Sequence, residues 1–145
     1  MKKIILVISL FYFLPIQAAD LPKSIADKLL SKAWHGYYTT DNGAHGKQEI
    51  SLNFTTSEQQ ELIGMITVYN IEVGNGIFNA SEFLSFDFDQ ADNTLSLSYF
   101  DPKTRIDRNT YTLTVTRWED HAMTGLLYLT LYTGERYHIG TFRVE

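Results

Sequence analysis

Glu119, Asp120 and His121 stand side by side in RWEDHAMTG, residues 117–125 of a 145-residue chain. An acid next to a histidine is the pairing that orients an imidazole for general-base catalysis. That chemistry also needs a nucleophile or a bound substrate within reach of the ring, and neighbours in a tight turn usually point apart. The chain has no cysteine to act as nucleophile, and it carries no Gly-x-Ser-x-Gly elbow. Asp and Glu are ordinary turn residues, and this stretch falls between two alternating segments. The expectation is a hairpin turn, and no catalytic residue is assigned.

Other reactive-looking groupings weaken in the same way. TTDNGAHGK (39–47) has glycines and a lysine, but neither the spacing of a phosphate-binding loop nor a following helix pattern. The four histidines, His35, His45, His121 and His138, fit no His-x-x-x-His zinc spacing. DFDQADN (87–93) is rich in oxygen ligands. It lacks the central glycine and terminal glutamate of a calcium loop, and reads as a turn between strands. Asn79-Ala80-Ser81 matches a glycosylation acceptor, a weak three-residue pattern. No metal and no cofactor is expected.

The elements that must position any site follow from hydrophobic period. Ile50, Leu52 and Phe54 alternate with polar residues, as do Leu84, Phe86 and Phe88, then Leu95, Leu97 and Tyr99. Tyr111, Leu113 and Val115 alternate with threonines, and Met123, Leu127, Leu129 and Leu131 share one face. Such alternation marks strands with one buried and one solvated side. Weaker patterns at 34–40, 61–70 and 136–145 bring the number to about eight. Short, turn-rich connections make the sheet an antiparallel meander. Eight such strands tend to close and remove their edges. The expected fold is all-β, an up-and-down barrel behind a helix at 21–33, with a two-sheet sandwich as the alternative. The layout is similar to lipocalin-type barrels in architecture alone. Trp34-His35-Gly36 runs opposite to the Gly-x-Trp of that family, so no membership follows.

Residues 1–19 run from a basic start through an apolar stretch (4–16) to Ala18-Ala19, the order of a secretory signal peptide. Cleavage is expected after Ala19, leaving one domain at 20–145. Losing Lys2 and Lys3 leaves 10 basic against 17 acidic residues, a net charge of −7. That balance disfavours nucleic acid, which rewards Lys and Arg. The mature chain is expected outside the cytoplasm, periplasmic or secreted, with no stable membrane insertion. Without disulfides its stability must come from burial.

With the first strand running upward, the upper loops (40–46, 71–80, 101–108 and 133–135) are longer and hold His45, Glu72, Asn75, Asp101, Arg105, Asp107 and Arg108, while 118–121 lies at the lower end. Ligands enter barrels at the mouth. The expected ligand-binding residues are therefore His45, Arg105, Asp107 and Arg108, with His138 pointing inward by parity with Gly140, Phe142 and Val144. Arg117 has the inward parity of its own strand. Outward parity groups Leu126, Tyr128 and Tyr132 with Tyr137 and Ile139, and Tyr37 adjoins them. Of these, Tyr128, Tyr132, Tyr137 and Ile139 form the expected partner-binding patch, unless the helix lies over it. The function expected first is a small exported non-catalytic module that binds a protein partner, of inhibitor, immunity or envelope-assembly type. The alternative is a barrel carrying a small apolar or amphipathic ligand, and the third reading is a hydrolase or lyase at the mouth.

Overall fold

A computed structural model describes residues 21–41, 46–104 and 107–145. The expected signal peptide, His45 and Arg105 lie outside the described residues.

The alternating segments become β1 (Trp34–Thr40), β2 (Lys47–Thr56), β3 (Leu62–Val73), β4 (Gly76–Asp89), β5 (Thr94–Phe100), β6 (Thr110–Trp118), β7 (Met123–Thr130) and β8 (Arg136–Val144). Each pairs antiparallel with the next, and β8 returns to β1, so the sheet is a closed eight-stranded barrel. The sandwich alternative is superseded. Strand parity sends one apolar set inward, where Ile50, Leu52, Ile66, Leu95, Leu97, Leu113 and Leu127 are fully buried. The opposite set carries hydroxyl pairs across neighbouring strands: Ser98–Thr112 at 2.8 Å, Thr67–Ser81 at 2.9 Å and Ser96–Thr114 at 3.1 Å. Such cross-strand pairs add to sheet stability on a solvated face.

At the lower end sits α1 (Lys23–Leu30). Pro22 occupies its N-cap, where a missing N–H costs nothing. Ile25 and Leu29, one turn apart, are buried in the barrel core. The helix stops well before Ala33, its expected end, because the chain must turn at Ser31 to deliver Trp34 to the barrel floor. The Trp34 ring is buried, and its Nε1 donates to the Leu29 carbonyl at 3.1 Å. Lys32 Nζ donates to the His121 carbonyl at 2.8 Å, and Lys28 Nζ lies 5.2 Å from the Trp118 ring centre. The helix therefore closes the lower end and does not cover the outward tyrosines.

Two single-residue irregularities redirect side chains that strict alternation places inside. Between β7 and β8, Leu127 pairs with Gly140 but Tyr128 pairs with His138, so Ile139 is the extra residue. A bulge of this kind shifts the face of everything beyond it. His138 is consequently outward, against the expectation, and Ile139 packs on the core instead of joining an outer patch. Tyr137 pairs with Leu129 and shares its face at the upper rim. Between β6 and β7 the register shifts between Val115 and Arg117, which pairs with the outward Thr124. Arg117 is exposed, not inward.

The β3–β4 connection also differs. Residues 71–80, expected as a loop, continue the ladder through Ile71↔Phe78, Glu72↔Ile77 and Val73↔Gly76. Gly74 takes the positive φ (60°) of the turn. An irregularity between Val68 and Ile71, with Asn70 at φ 54°, hides the alternation. Pairing of β4 with β5 covers only Ser85–Asp89. β3 stays paired with β2 as far as Val68, and only beyond it, from Ile71↔Phe78 to Val73↔Gly76, does the hairpin stand as a two-stranded ribbon.

Candidate functional site: the aromatic mouth and the outer faces

RWEDHAMTG is a lower-end turn. Trp118 pairs with Met123, and the Glu119 N–H donates to the Ala122 carbonyl at 2.8 Å. Glu119 accepts from Arg143 Nη1 at 3.3 Å and lies 3.5 Å from Arg117 Nε. His121 is exposed, and its backbone carbonyl receives Lys32. Glu119 thus serves two arginines and not the histidine two residues on.

The upper mouth holds a denser arrangement. Tyr99 on β5 and Tyr111 on β6 are cross-strand partners, and their rings stack at 5.5 Å and 23°. Tyr38, inward on β1, stacks on Tyr111 at 6.2 Å and 25°. Asp101 follows the end of β5 and is buried. Its N–H donates to the Asn109 carbonyl at 2.8 Å, and its Oδ1 accepts the Lys103 N–H at 2.9 Å. A cavity of about 100 Å³ opens here, bounded by the three tyrosines, Asp101, Gln48 and Lys103 among others.

The electrostatics of the three phenols run one way. Burial pushes the Tyr38 hydroxyl up to about 12, with Tyr99 pulling it down and the Asp101 charge adding to the rise. Burial raises Tyr111 as well, and Asp101 and Tyr38 add to it. Tyr99 is raised well above its ordinary value, first by burial and then by its two tyrosine neighbours. The Tyr38 and Tyr99 hydroxyls lie close enough to shift one another, and the buried Tyr99 Oη makes no other hydrogen bond. All three phenols keep their protons at neutral pH.

Few of the residues expected at the mouth are found there. His138 lies on the outer wall, its Nε2 2.9 Å from the Gly140 carbonyl and its Nδ1 3.7 Å from Asp41 Oδ2. Its ring meets the edge of Tyr128 at 5.6 Å. Arg108 is tied to Glu82 at 3.9 Å and lies over the Phe100 ring at 5.4 Å. Asp107 is exposed in the upper loop. The tyrosine patch is divided: Tyr128 is half-buried beneath Arg136 at 4.0 Å, while Tyr132 and Tyr137 face solvent. The missed lining residues carried a readable signal. Tyr99 and Tyr111 have inward parity, and an antiparallel hairpin with the 101–109 connection sets them opposite one another.

Two outer surfaces complete the picture. An open groove of about 400 Å³ runs over β1, β2 and β8, with Tyr37, Lys47, Glu49, Arg143 and Glu145 along it. On the β3–β4 hairpin, Phe83 is 71 % exposed and stands opposite Met65. Ile77 (68 % exposed) and Val73 project from the same hairpin nearer its tip, and Phe100 (50 %) is exposed at the end of β5. No family model matches this chain, and neither does any curated protein or solved structure.

Proposed function

We propose that the protein is an exported, non-catalytic binding module that engages a protein partner through the outer face of the β3–β4 hairpin. One observation carries the reading. The barrel interior is filled by its own side chains, while Phe83, Ile77 and Met65 are left in water on the outer face of one hairpin. A carried ligand of ordinary size needs roughly 300–1,000 Å³, and the mouth cavity offers about 100 Å³. Large apolar side chains gathered on an outer face are a feature of interaction surfaces. Phenols raised rather than lowered are poor bases at neutral pH, which supports a non-catalytic role. The Ser/Thr pairs on the outer wall favour water over lipid there, since membrane barrels turn an apolar band outward. Export rests on the order of residues 1–19.

The test uses the mature chain as bait in an envelope extract, beside the variants Phe83→Ser, Ile77→Ser and Tyr132→Ser. The partner should be lost with the first two and kept with the third. A truncated buried interface aromatic costs about 2 kcal/mol or more, roughly a thirtyfold loss of affinity. Equal capture by all three variants, with unchanged melting, would remove the hairpin as the binding face.

A further inference from the structure

We propose that the upper mouth is a binding site for a primary alkylammonium group. The cavity is small, about 100 Å³. That is room for a charged head and a short alkyl stem, well below a drug-sized ligand. Its lining is rich in acceptors. Asp101 is buried and takes part in none of the ion pairs among the described residues. A buried carboxylate without a counter-charge is costly, and a cation relieves that cost. Tyr99 Oη is fully buried and unpartnered beside it. Gln48 also lines the cavity and spends its Nε2 on the Tyr69 and Glu49 carbonyls, so its Oε1 is the acceptor end of that amide.

The chemistry selects among cations. An ammonium carries three N–H donors and no acceptor, matching a carboxylate oxygen, a phenol oxygen and an amide oxygen. A guanidinium prefers both oxygens of one carboxylate, but Asp101 Oδ1 already accepts the Lys103 N–H. A quaternary ammonium needs open ring faces, and here Tyr111 stacks on both other rings. Lys103 on the rim is the internal competitor, yet it forms no ion pair with Asp101. This site stands whether or not a protein partner uses the β3–β4 hairpin.

The probes are n-butylammonium, its neutral analogue 1-butanol, and Nα-acetyl-lysine N-methylamide, titrated into the protein from residue 20 onward at neutral pH. Ring resonances of Tyr38, Tyr99 and Tyr111 report binding. The amine should give saturable shifts, with 1-butanol and the variant Asp101→Asn at least about tenfold weaker, the scale of one charge-assisted hydrogen bond. Tyr99→Phe should weaken the amine several-fold without loss of fold. Should Asp101→Asn fail to fold, the charged and neutral probes on the unaltered protein decide the matter. Tighter binding of the lysine derivative points to a lysine side chain as the natural occupant. Equal or tighter binding of n-butylammonium points to a free amine. Absence of saturation, equal binding of the alcohol, or binding that emerges only after Lys103→Ala would overturn the proposal.

Discussion

The two ends of this barrel are built from the same strands and end differently. At the lower end α1 lays Ile25 and Leu29 on the core, and Trp34 is buried with its indole N–H bonded to the helix. At the upper end no helix intervenes among the described residues, and the lining carries tyrosines and a buried aspartate. Among the described residues each end holds one buried polar atom without a partner: Trp118 Nε1 below and Tyr99 Oη above. The lower one sits in a ring capped by Lys28. The upper one adjoins a cavity with a lone carboxylate. Apolar closure below stabilises the fold, while polar closure above leaves acceptors for something else to satisfy.

The sharpest way to break this contrast is Trp34→Ala. Truncating a buried tryptophan costs about 3–5 kcal/mol, and here it also removes the helix anchor. Denaturant unfolding of the mature protein should show that loss, and a change below about 1 kcal/mol would mean that the helix is not a structural plug.

Alkaline pH should act on the upper end. The folded phenols titrate above their ordinary value, so between pH 10 and pH 12 the unfolded chain has lost protons that the folded chain retains. Unfolding then releases protons, and stability falls as pH rises. Each affected tyrosine contributes a slope of about 1.4 kcal/mol per pH unit. For Tyr38, raised to about 12, the loss should reach about 2–3 kcal/mol by pH 12. Melting of the unaltered protein against Tyr38→Phe checks this. An identical alkaline profile would mean that the tyrosines are solvated.

The smallest effects belong to the lower turn. His121→Ala and Asp120→Ala should change stability by no more than about 0.5 kcal/mol, as exposed substitutions do. Glu119→Ala should cost up to about 1 kcal/mol, since Glu119 pairs with two arginines in a partly exposed setting. Unfolding curves in which His121→Ala exceeded Glu119→Ala would reverse the reading of that turn.

What the sequence made legible follows the same division. Strict alternation at 94–100 and 110–116 located β5 and β6, and with them the inward Tyr99 and Tyr111. The barrel and its leading helix were readable because apolar period is a property of whole segments. His138, Ile139 and Arg117 were misplaced because one inserted residue inverts parity, and nothing in RYHIG or VTRW marks the insertion. The β3–β4 ribbon was missed for a related reason. Tyr69 and Asn70 interrupt the alternation, and IEVGNGIFNA then resembles a loop. Asp101 was noted as an upper-loop residue, but its burial beside the tyrosines depends on the Asn109 and Lys103 backbone contacts, which no local pattern encodes.

The pairing of β1 with β8 carries a consequence for how the chain reaches this state. Thr40 meets Gly140 and Gly36 meets Val144, so that seam joins positions 100 and 108 residues apart, whereas every other ladder joins neighbours across a short turn. Closing a loop ten times longer costs about 2 kcal/mol more in chain entropy. The seven hairpin ladders are therefore favoured early and the seam late, which places the rate of folding under non-local contacts. Until β8 arrives, β1 offers an unpaired edge next to a helix that has no floor to rest on. During synthesis such a chain stays an open curl of hairpins. It becomes a barrel only when its final strand is free to swing round and complete the ring.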